Sequence, residues 1–227
     1  SDYSSIDPEN RLLWRANVRR LDFEAMRDSL LVMANKLDKT VGGQAVNLTD
    51  EPYSYRRTIY GYVDRGDIPE LMASFDFSNP LAPNSKRTST IVPQQALFLM
   101  NSPLVIDVAR NVVAQPTVAR ASSNNDRIIG IYRIVLGRTP TAPEIQIAYA
   151  FLQRELGQQD KVVAEAKDMT EKAEKKAQER AKRMGNMNDN GLTAIQNQGE
   201  YIERKPLTGW ETYAHALLLS NEAAYVN

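Results

Sequence analysis

The fold class follows from the stretch between Arg87 and Pro103, which reads RTSTIVPQQALFLMNSP. An extended polar lead-in meets Pro93, and proline fits the first turn of a helix because its missing N–H would have no partner there. A short apolar helix follows, and the triplet Asn101-Ser102-Pro103 ends it and starts another. This punctuation predicts two helices that meet at a fixed angle.

Helical patterns continue on both sides of this elbow. Asp7-Pro8 predicts the start of a first helix, and Asp22 predicts the cap of a second. Asn125 or Asp126 is expected to cap a later helix that stops at Gly137. Thr141 and Glu144 form a capping-box pattern that opens the next helix. Apolar residues at helical spacing are expected to share one core, among them Leu97, Met100, Trp210, Leu217 and Leu218.

The segment 44–89 is irregular and rich in Pro, Asp, Asn and Ser. Its best strand candidate runs from Thr58 to Val63, which is β-branched and aromatic although Gly61 weakens it. A short helix from Pro69 to Phe75 is expected to follow.

Lys, Glu and Ala dominate from Asp160 to Met184, with a thin alanine stripe. This composition favours a solvated helical arm, with a coiled coil that binds a partner as the alternative. The stretch from Asn186 to Asn197 imitates a calcium loop but lacks carboxylates at its first and twelfth positions. A flexible Asn-Gly turn is therefore the favoured interpretation.

Together the patterns predict a mainly α fold. It is a multi-helix orthogonal bundle with an irregular central segment that can be partly β, and with a long charged helical arm. We expect a helical core at 1–157 with the irregular insertion 44–89, and a charged arm with a flexible loop at 158–205. A C-terminal helix at 206–227 is expected to pack back on the core.

Composition excludes several classes of function. The 227 residues carry 28 basic and 28 acidic side chains, and a formal net charge of zero argues against nucleic acid as a partner. No apolar run approaches the ~20 residues that span a bilayer, so no membrane span is expected. Cysteine is absent, which excludes disulfides and thiol nucleophiles. With the single histidine His215, which we interpret as a hydrogen-bonded residue at the edge of a buried face, no metal site and no cofactor are predicted.

One group of residues is a candidate ligand site: Arg56, Arg57, Tyr60 and Arg87. Arginine can hold a carboxylate or phosphate with two hydrogen bonds, and tyrosine can stack on a sugar. The favoured alternative is structural, in which these arginines pair with Asp64, Asp67 or Asp76 and fix the irregular segment to the helices. No catalytic residue is assigned.

Six motifs in the same order resemble one family. They are Asp7–Arg15, Arg19–Leu31, Arg56–Tyr60 with Phe75-Asp76, Val92–Pro103, Leu136–Pro140 and Ala216–Glu222. The chain resembles the back portion of the C-terminal domain of unknown function in planctomycete-type cytochrome c domain-containing proteins. It departs from that family at Ala223, where an aromatic residue is usual, and in the long segment from Gln158 to Lys205.

This resemblance implies a parent protein with an export signal, often a cytochrome c module, and another uncharacterised domain before this one. We therefore expect a periplasmic or cell-surface location. The expected function is a non-catalytic scaffold or interaction domain, with an enzyme domain or carbohydrate-binding module acting on polysaccharide as the alternative. The expected partners are the preceding domains of the same full-length protein, another envelope protein or a polysaccharide.

Overall fold

The computed structural model of the chain describes residues 3–17, 19–85, 87–157, 195–196 and 199–226. Helices dominate this part of the chain, so the predicted mainly α fold is confirmed. Short 3-10 helices lie at Thr58–Tyr60 and Glu222–Ala224. The α-helices are α1 (Tyr3–Ile6), α2 (Phe23–Met33), α3 (Glu70–Ser74), α4 (Pro93–Asn101), α5 (Pro103–Ala114), α6 (Pro116–Ala119), α7 (Asn124–Val135), α8 (142–157) and α9 (Gly209–Leu218).

The β-structure of the described residues consists of two pairs of two-residue strands. Strand β1 (Arg19–Arg20) is antiparallel to β4 (Tyr225–Val226) and joins the segment before α2 to the last residues of the described chain. Strand β2 (Ala45–Val46) is parallel to β3 (Ile195–Gln196). Strands this short mainly fix chain connections, although Val46 of β2 is fully buried in the core.

The predicted elbow is confirmed. Pro93 begins α4, and Ser102 is both the last cap of α4 and the first cap of α5. The two helices meet with a bend of 54°. Gln95 is buried and donates from Nε2 to the Ser74 carbonyl at 2.7 Å, so the elbow is tied to the end of α3.

Helix α5 is the centre of the core. Its residues Val105, Val108 and Val112 are fully buried, and the helix packs most extensively against α9, which buries Tyr213 and Leu218. Helices α2, α7 and α8 complete the same hydrophobic cluster. Burial of each large apolar side chain contributes roughly 1.5–3 kcal/mol, so this cluster is the main source of stability.

The chain returns to the helical body at residues 199–205. The backbone of Glu200 exchanges hydrogen bonds with Tyr53 at 3.0 and 3.1 Å, and Ile202 is buried. The ammonium of Lys36 donates to Glu200 and Asp107, both at 3.2 Å. These contacts connect the returning segment to α5 and to the loop after α2, while the predicted domain limits stay a prediction.

Two predicted helix starts are wrong. Asp7 does not open a helix, because its carboxylate accepts from the backbone N–H groups of Arg11 and Leu12 and closes a turn. Helix α7 is capped by Ser123, whose hydroxyl accepts from the N–H of Asp126. Asx and Ser side chains compete for the same backbone donors, so the capping residue can shift by a few positions.

The expected common core is partly wrong. Leu97 and Met100 are 55% and 52% exposed on α4, whereas Leu218 is buried and Trp210 and Leu217 are half-buried against the core. Helix α4 turns its other face inward, because Gln95 bonds to the last residue of α3 and the ring of Phe98 packs on Phe75, the residue that follows α3.

Of the predicted charged arm and loop at 158–205, the helical arm from Asp160 to Met184 and most of the loop from Asn186 to Asn197 lie outside the described residues.

Candidate functional site

A buried arginine joins the irregular central segment to α2. Arg27 is 2% exposed, and its guanidinium donates to the carbonyl of Arg56 at 2.9 Å, to the hydroxyl of Thr58 at 3.2 Å and to the carbonyl of Ser54. Burial lowers the pKa of Arg27 to about 10, against the opposing attraction of neighbouring Asp28. Its acceptors all lie within residues 54–58, so one side chain fixes that turn of the chain.

The next residue of α2 explains why the predicted strand at Thr58–Val63 is wrong. The Asp28 carboxylate accepts from the N–H of Thr58 at 2.8 Å and from its hydroxyl at 2.7 Å. That acceptor caps a 3-10 turn at Thr58–Tyr60, after which the N–H of Gly61 donates to the Thr58 carbonyl at 2.9 Å. A contact made across the fold therefore overrides local β-propensity.

Arg56 and Tyr60 bind the backbone of the loop at residues 40–44, which contains Gly42 and Gly43. The guanidinium of Arg56 donates to the carbonyls of Gln44 at 3.0 Å, Thr40 at 3.2 Å and Gly42, and it lies 4.2 Å from the centre of the Tyr60 ring. The Tyr60 hydroxyl accepts from the N–H of Gly42 at 3.1 Å. The Arg56 guanidinium and the Tyr60 hydroxyl are therefore both hydrogen-bonded to backbone groups of residues 40–44.

Arg57 and Arg87 pair with carboxylates of α2. Arg57 Nε lies 3.3 Å from Asp28 Oδ2, and its side chain is 53% exposed. Arg87 makes two hydrogen bonds of 2.7 Å to the two oxygens of Glu24 and lies 3.5 Å from Asp22. Although burial opposes the shift, the hydrogen bonds from Arg87 hold the pKa of Glu24 below its usual value.

Two grooves run beside these ion pairs. One of about 480 Å³ has an apolar lining that includes Ile59, Met72 and Phe77, and both Arg57 and Arg87 border it. The other, of about 660 Å³, lies on the far side of the Asp28–Arg57 pair. Arg56 and Tyr60 border neither groove, so the structure divides the four predicted site residues into two pairs that serve different parts of the fold.

The charges along the 480 Å³ groove are already compensated. Its two arginines face three carboxylates, those of Glu24 and Asp28 on α2 and that of Asp22, which caps the helix. Arg87 is bound to Glu24 by two short hydrogen bonds and has few donors left for an anionic ligand, whereas Arg57 makes a single contact of 3.3 Å to Asp28. The groove therefore offers an apolar lining and paired charges rather than a free cationic centre.

The acidic partners predicted for the arginines, Asp64, Asp67 or Asp76, are wrong. Asp76 accepts from the N–H and hydroxyl of Thr90, and Asp64 accepts from the N–H of Gly66. Arg57 and Arg87 instead pair with carboxylates of α2, far away in sequence, and Arg56 binds backbone carbonyls of residues 40–44. The pattern of 44–89 alone could not indicate these partners.

The residue that sequence reasoning missed is Arg27. It lies four residues after Phe23 and four before Leu31, on the buried face of α2. A charged residue at a core position of an amphipathic helix requires polar partners from another segment. The position of Arg27 among the apolar residues of α2, at intervals of four, was therefore the signal in the sequence that could have revealed this buried arginine.

His215 makes one contact to a distant element. Its Nε2 lies 3.0 Å from the carbonyl of Leu99 on α4, and the side chain is half-buried. Within the residues that the structure describes, no group of three or more His, Asp or Glu side chains could hold a metal ion. Among the same residues no single helix has the length and hydropathy to cross a bilayer, while α4 and α5 together pass that test as a bent pair.

Comparison with known proteins identifies the family. No curated protein and no solved structure matches the chain. A family model described as "PSD1: Protein of unknown function (DUF1553)" matches residues 1–152, about two thirds of the sequence. The match includes α2, the segment tied to it and the elbow, and it ends before the motif Ala216–Glu222. The chain belongs to this family of proteins of unknown function.

Proposed function

We propose that the chain is a non-catalytic scaffold or interaction domain of an exported cell-envelope protein. The observation that supports this most is the use of the predicted ligand-binding side chains inside the fold. Arg56 and Tyr60 bind backbone of residues 40–44, and Arg57 and Arg87 bind carboxylates of α2. These contacts hold the irregular segment in one conformation against the helices.

A ligand that recruited these arginines would have to break contacts that already exist. Displacing Glu24 from Arg87 would remove two hydrogen bonds of 2.7 Å and leave a carboxylate that is partly shielded from water. Breaking such charge-assisted bonds opposes binding of an anionic substrate. A preorganised surface with paired charges and an apolar groove suits contact with another polypeptide.

The cellular setting in this proposal comes from the resemblance to planctomycete-type cytochrome c domain-containing proteins. On that resemblance we expect the parent to lie in the periplasm or at the cell surface, in a redox context. The proposed partners are the preceding domains of the same full-length protein, with another envelope protein as the next choice.

Site-specific photo-cross-linking in the full-length parent protein tests this proposal. A photoreactive residue in place of Ile59, which is 74% exposed beside the 480 Å³ groove, should cross-link to another domain or subunit. Ile147, 69% exposed on α8, is the matched control and should not cross-link to that partner.

One combination of results would contradict the scaffold proposal. If Ile59 cross-links to no polypeptide, and the protein instead degrades a polysaccharide with an activity that Arg57→Ala or Arg87→Ala abolishes, the scaffold proposal fails. The polysaccharide alternative would then replace it.

A further inference from the structure

The segment 199–205, with the sequence GEYIERK, lies on the helical body as a non-helical strap. In an antiparallel bridge the N–H of Glu200 donates to the Tyr53 carbonyl at 3.1 Å, and the N–H of Tyr53 donates to the Glu200 carbonyl at 3.0 Å. Further along the strap, the guanidinium of Arg110 on α5 donates to the carbonyls of Glu203 and Lys205. The body thus holds the strap by its main chain, as proteins hold an extended peptide that adds to a strand.

The two charged contacts of the strap have opposite signs and lie at its two ends. Near the start, the Glu200 carboxylate accepts from the ammonium of Lys36 at 3.2 Å and from the hydroxyl of Tyr55 at 2.9 Å. Near the end, the Arg204 guanidinium lies 3.4 Å from the carboxylate of Glu51. A cation at one end of the groove and an anion at the other fix the direction in which a peptide lies.

Ile202 is the apolar anchor between these ends. It is 8% exposed, whereas the adjacent Tyr201 is 65% exposed. The residues that bury it form a small cluster apart from the main core, namely Leu31, Tyr53 and Leu104. Positions 200, 202 and 204 therefore contact the body, which is the alternation of an extended peptide with one face in a groove.

Little of the hold on the strap is buried. Ile202 is its one buried residue, and the side chains of Glu200 and Arg204 are 64% and 52% exposed. Segments with few buried apolar contacts open at a lower free energy than the core. The main cluster, in which α9 packs on α5, does not include Ile202, so opening of the strap leaves that cluster in place.

The groove and the strap come from different parts of the chain. The side chains that form the groove lie between Leu31 and Arg110, within the residues 1–152 that the family model matches. The strap follows that range in sequence. The groove is therefore part of the family domain, and the segment that fills it comes from beyond the match.

We propose that this groove is a peptide-binding site that the strap fills in cis. Its ligand is an extended segment of a partner protein with the pattern of the strap: an acidic residue, any residue, a branched aliphatic residue, any residue and a basic residue. Tyr53 and Arg110 bind the main chain of such a segment, and the positions that receive Glu200, Ile202 and Arg204 select its side chains.

The strap competes with that partner because it is tethered to the same molecule. A tethered competitor reduces the apparent affinity for a free peptide by the fraction of molecules in which the groove is open. When the strap leaves, Lys36 keeps its contact of 3.2 Å to Asp107, so the cation that receives the acidic residue stays in place. The site uses neither of the two grooves beside Arg57, and Ile59 lies outside it, so this proposal and the scaffold proposal fail or succeed separately.

Fluorescence anisotropy of a labelled peptide GEYIERK, titrated with the full chain, tests the proposal. The chain variant Ile202→Ser weakens the strap in cis and should bind the peptide at least about tenfold more tightly than the wild-type chain does. The same peptide with serine in place of isoleucine should bind this variant at least about tenfold more weakly.

Two further substitutions in the Ile202→Ser chain locate the binding site. Arg110→Gln removes the donors to the peptide main chain and should weaken binding by about tenfold. Arg133→Gln, on the exposed face of α7, is the matched control and should leave binding within about twofold.

Hydrogen exchange of the wild-type chain tests the opening of the strap without any substitution. The amide of Glu200 should exchange at least about tenfold faster than amides in the middle of α5. If Ile202→Ser does not fold, the double variant Glu200→Gln with Arg204→Gln replaces it with the same expectation for the peptide, because it changes exposed side chains alone.

Four results would overturn the proposal. They are no binding of the peptide to a folded variant with a weakened strap, equal binding of the serine peptide, an unchanged affinity after Arg110→Gln, and exchange of Glu200 as slow as that of α5. Concentration-dependent dimers of the wild-type chain that the peptide dissociates would assign the groove to the strap of a second copy instead of a partner protein.

Discussion

Replacement of Arg27 by methionine should destabilise the protein more than any single substitution among its exposed arginines. Methionine keeps the unbranched aliphatic shape of the buried side chain but removes the hydrogen bonds to Ser54, Arg56 and Thr58. The buried acceptors would then have no donor, and the segment 54–58 would lose its attachment to α2.

Two opposing contributions set the size of the loss in the free energy of unfolding that Arg27→Met causes. Each hydrogen bond from a charged donor is worth about 1.5–3 kcal/mol. Holding the guanidinium in the core, which lowers the pKa of Arg27 to about 10, costs roughly 3 kcal/mol. The balance predicts a loss of about 2–5 kcal/mol in the free energy of unfolding, a large share of the 5–15 kcal/mol that is typical of a domain.

Urea unfolding followed by circular dichroism at neutral pH measures this loss. Arg133→Met on the exposed face of α7 is the matched control, and we expect it to change stability by less than about 0.5 kcal/mol. Arg27→Lys should also be clearly destabilising, because a point charge cannot reach acceptors that a planar guanidinium reaches. If Arg27→Met is as stable as the control, the central segment does not depend on this residue and the reasoning is refuted.

Three further predictions concern other contacts. Hydrogen bonds from Arg138 lower the pKa of Glu144 from 4.5 to about 2. The stabilisation from this carboxylate is thus full above about pH 4.5 and is lost as the pH falls towards 2, so Glu144→Gln should flatten acid unfolding in that range. Gly199→Ala should lower the melting temperature by several degrees, because its Cβ would lie 2.5 Å from the Pro52 carbonyl oxygen; an unchanged melting curve would contradict the packing of residues 199–205. Asp28→Ala should cost about 1–2 kcal/mol in urea unfolding through loss of the cap on Thr58, and Asp28→Asn should cost less because the amide oxygen still accepts.

Local punctuation was the most reliable guide from sequence to structure. Pro93 and Pro103 fixed the starts of α4 and α5, and Gly137 adopts the left-handed conformation expected after a helix, with a φ of +69°. Such residues determine backbone geometry by themselves, with no help from distant contacts. The mainly α class followed from these signals and from helical periodicity.

Contacts across the fold explain what the sequence did not reveal. The strand predicted at Thr58–Val63 is a 3-10 turn, because Asp28 accepts from Thr58 thirty positions along the chain. Leu97 and Met100 lie on a stripe that looks like a core face, but α4 turns them outward. In both cases a contact with a residue distant in sequence decides the outcome, and the local pattern does not contain that information.

The structure divides the four residues of the predicted ligand site between two places, and their role in binding a ligand stays a prediction. Arg57 and Arg87 do border one groove, whereas Arg56 and Tyr60 face the loop 40–44. Which carboxylate an arginine binds depends on how α2 lies against the segment, and that placement rests on the buried Arg27.

The central claim is that the arginines of segment 54–60 hold the fold together. Hydrogen–deuterium exchange of residues 40–60, compared between the wild-type protein and Arg56→Gln, tests it most directly. We predict faster exchange in the variant at residues 40–44, where Arg56 binds three carbonyls, with unchanged protection in α5. Identical exchange in the two proteins would contradict the account, because the Arg56 guanidinium would then be available to a ligand.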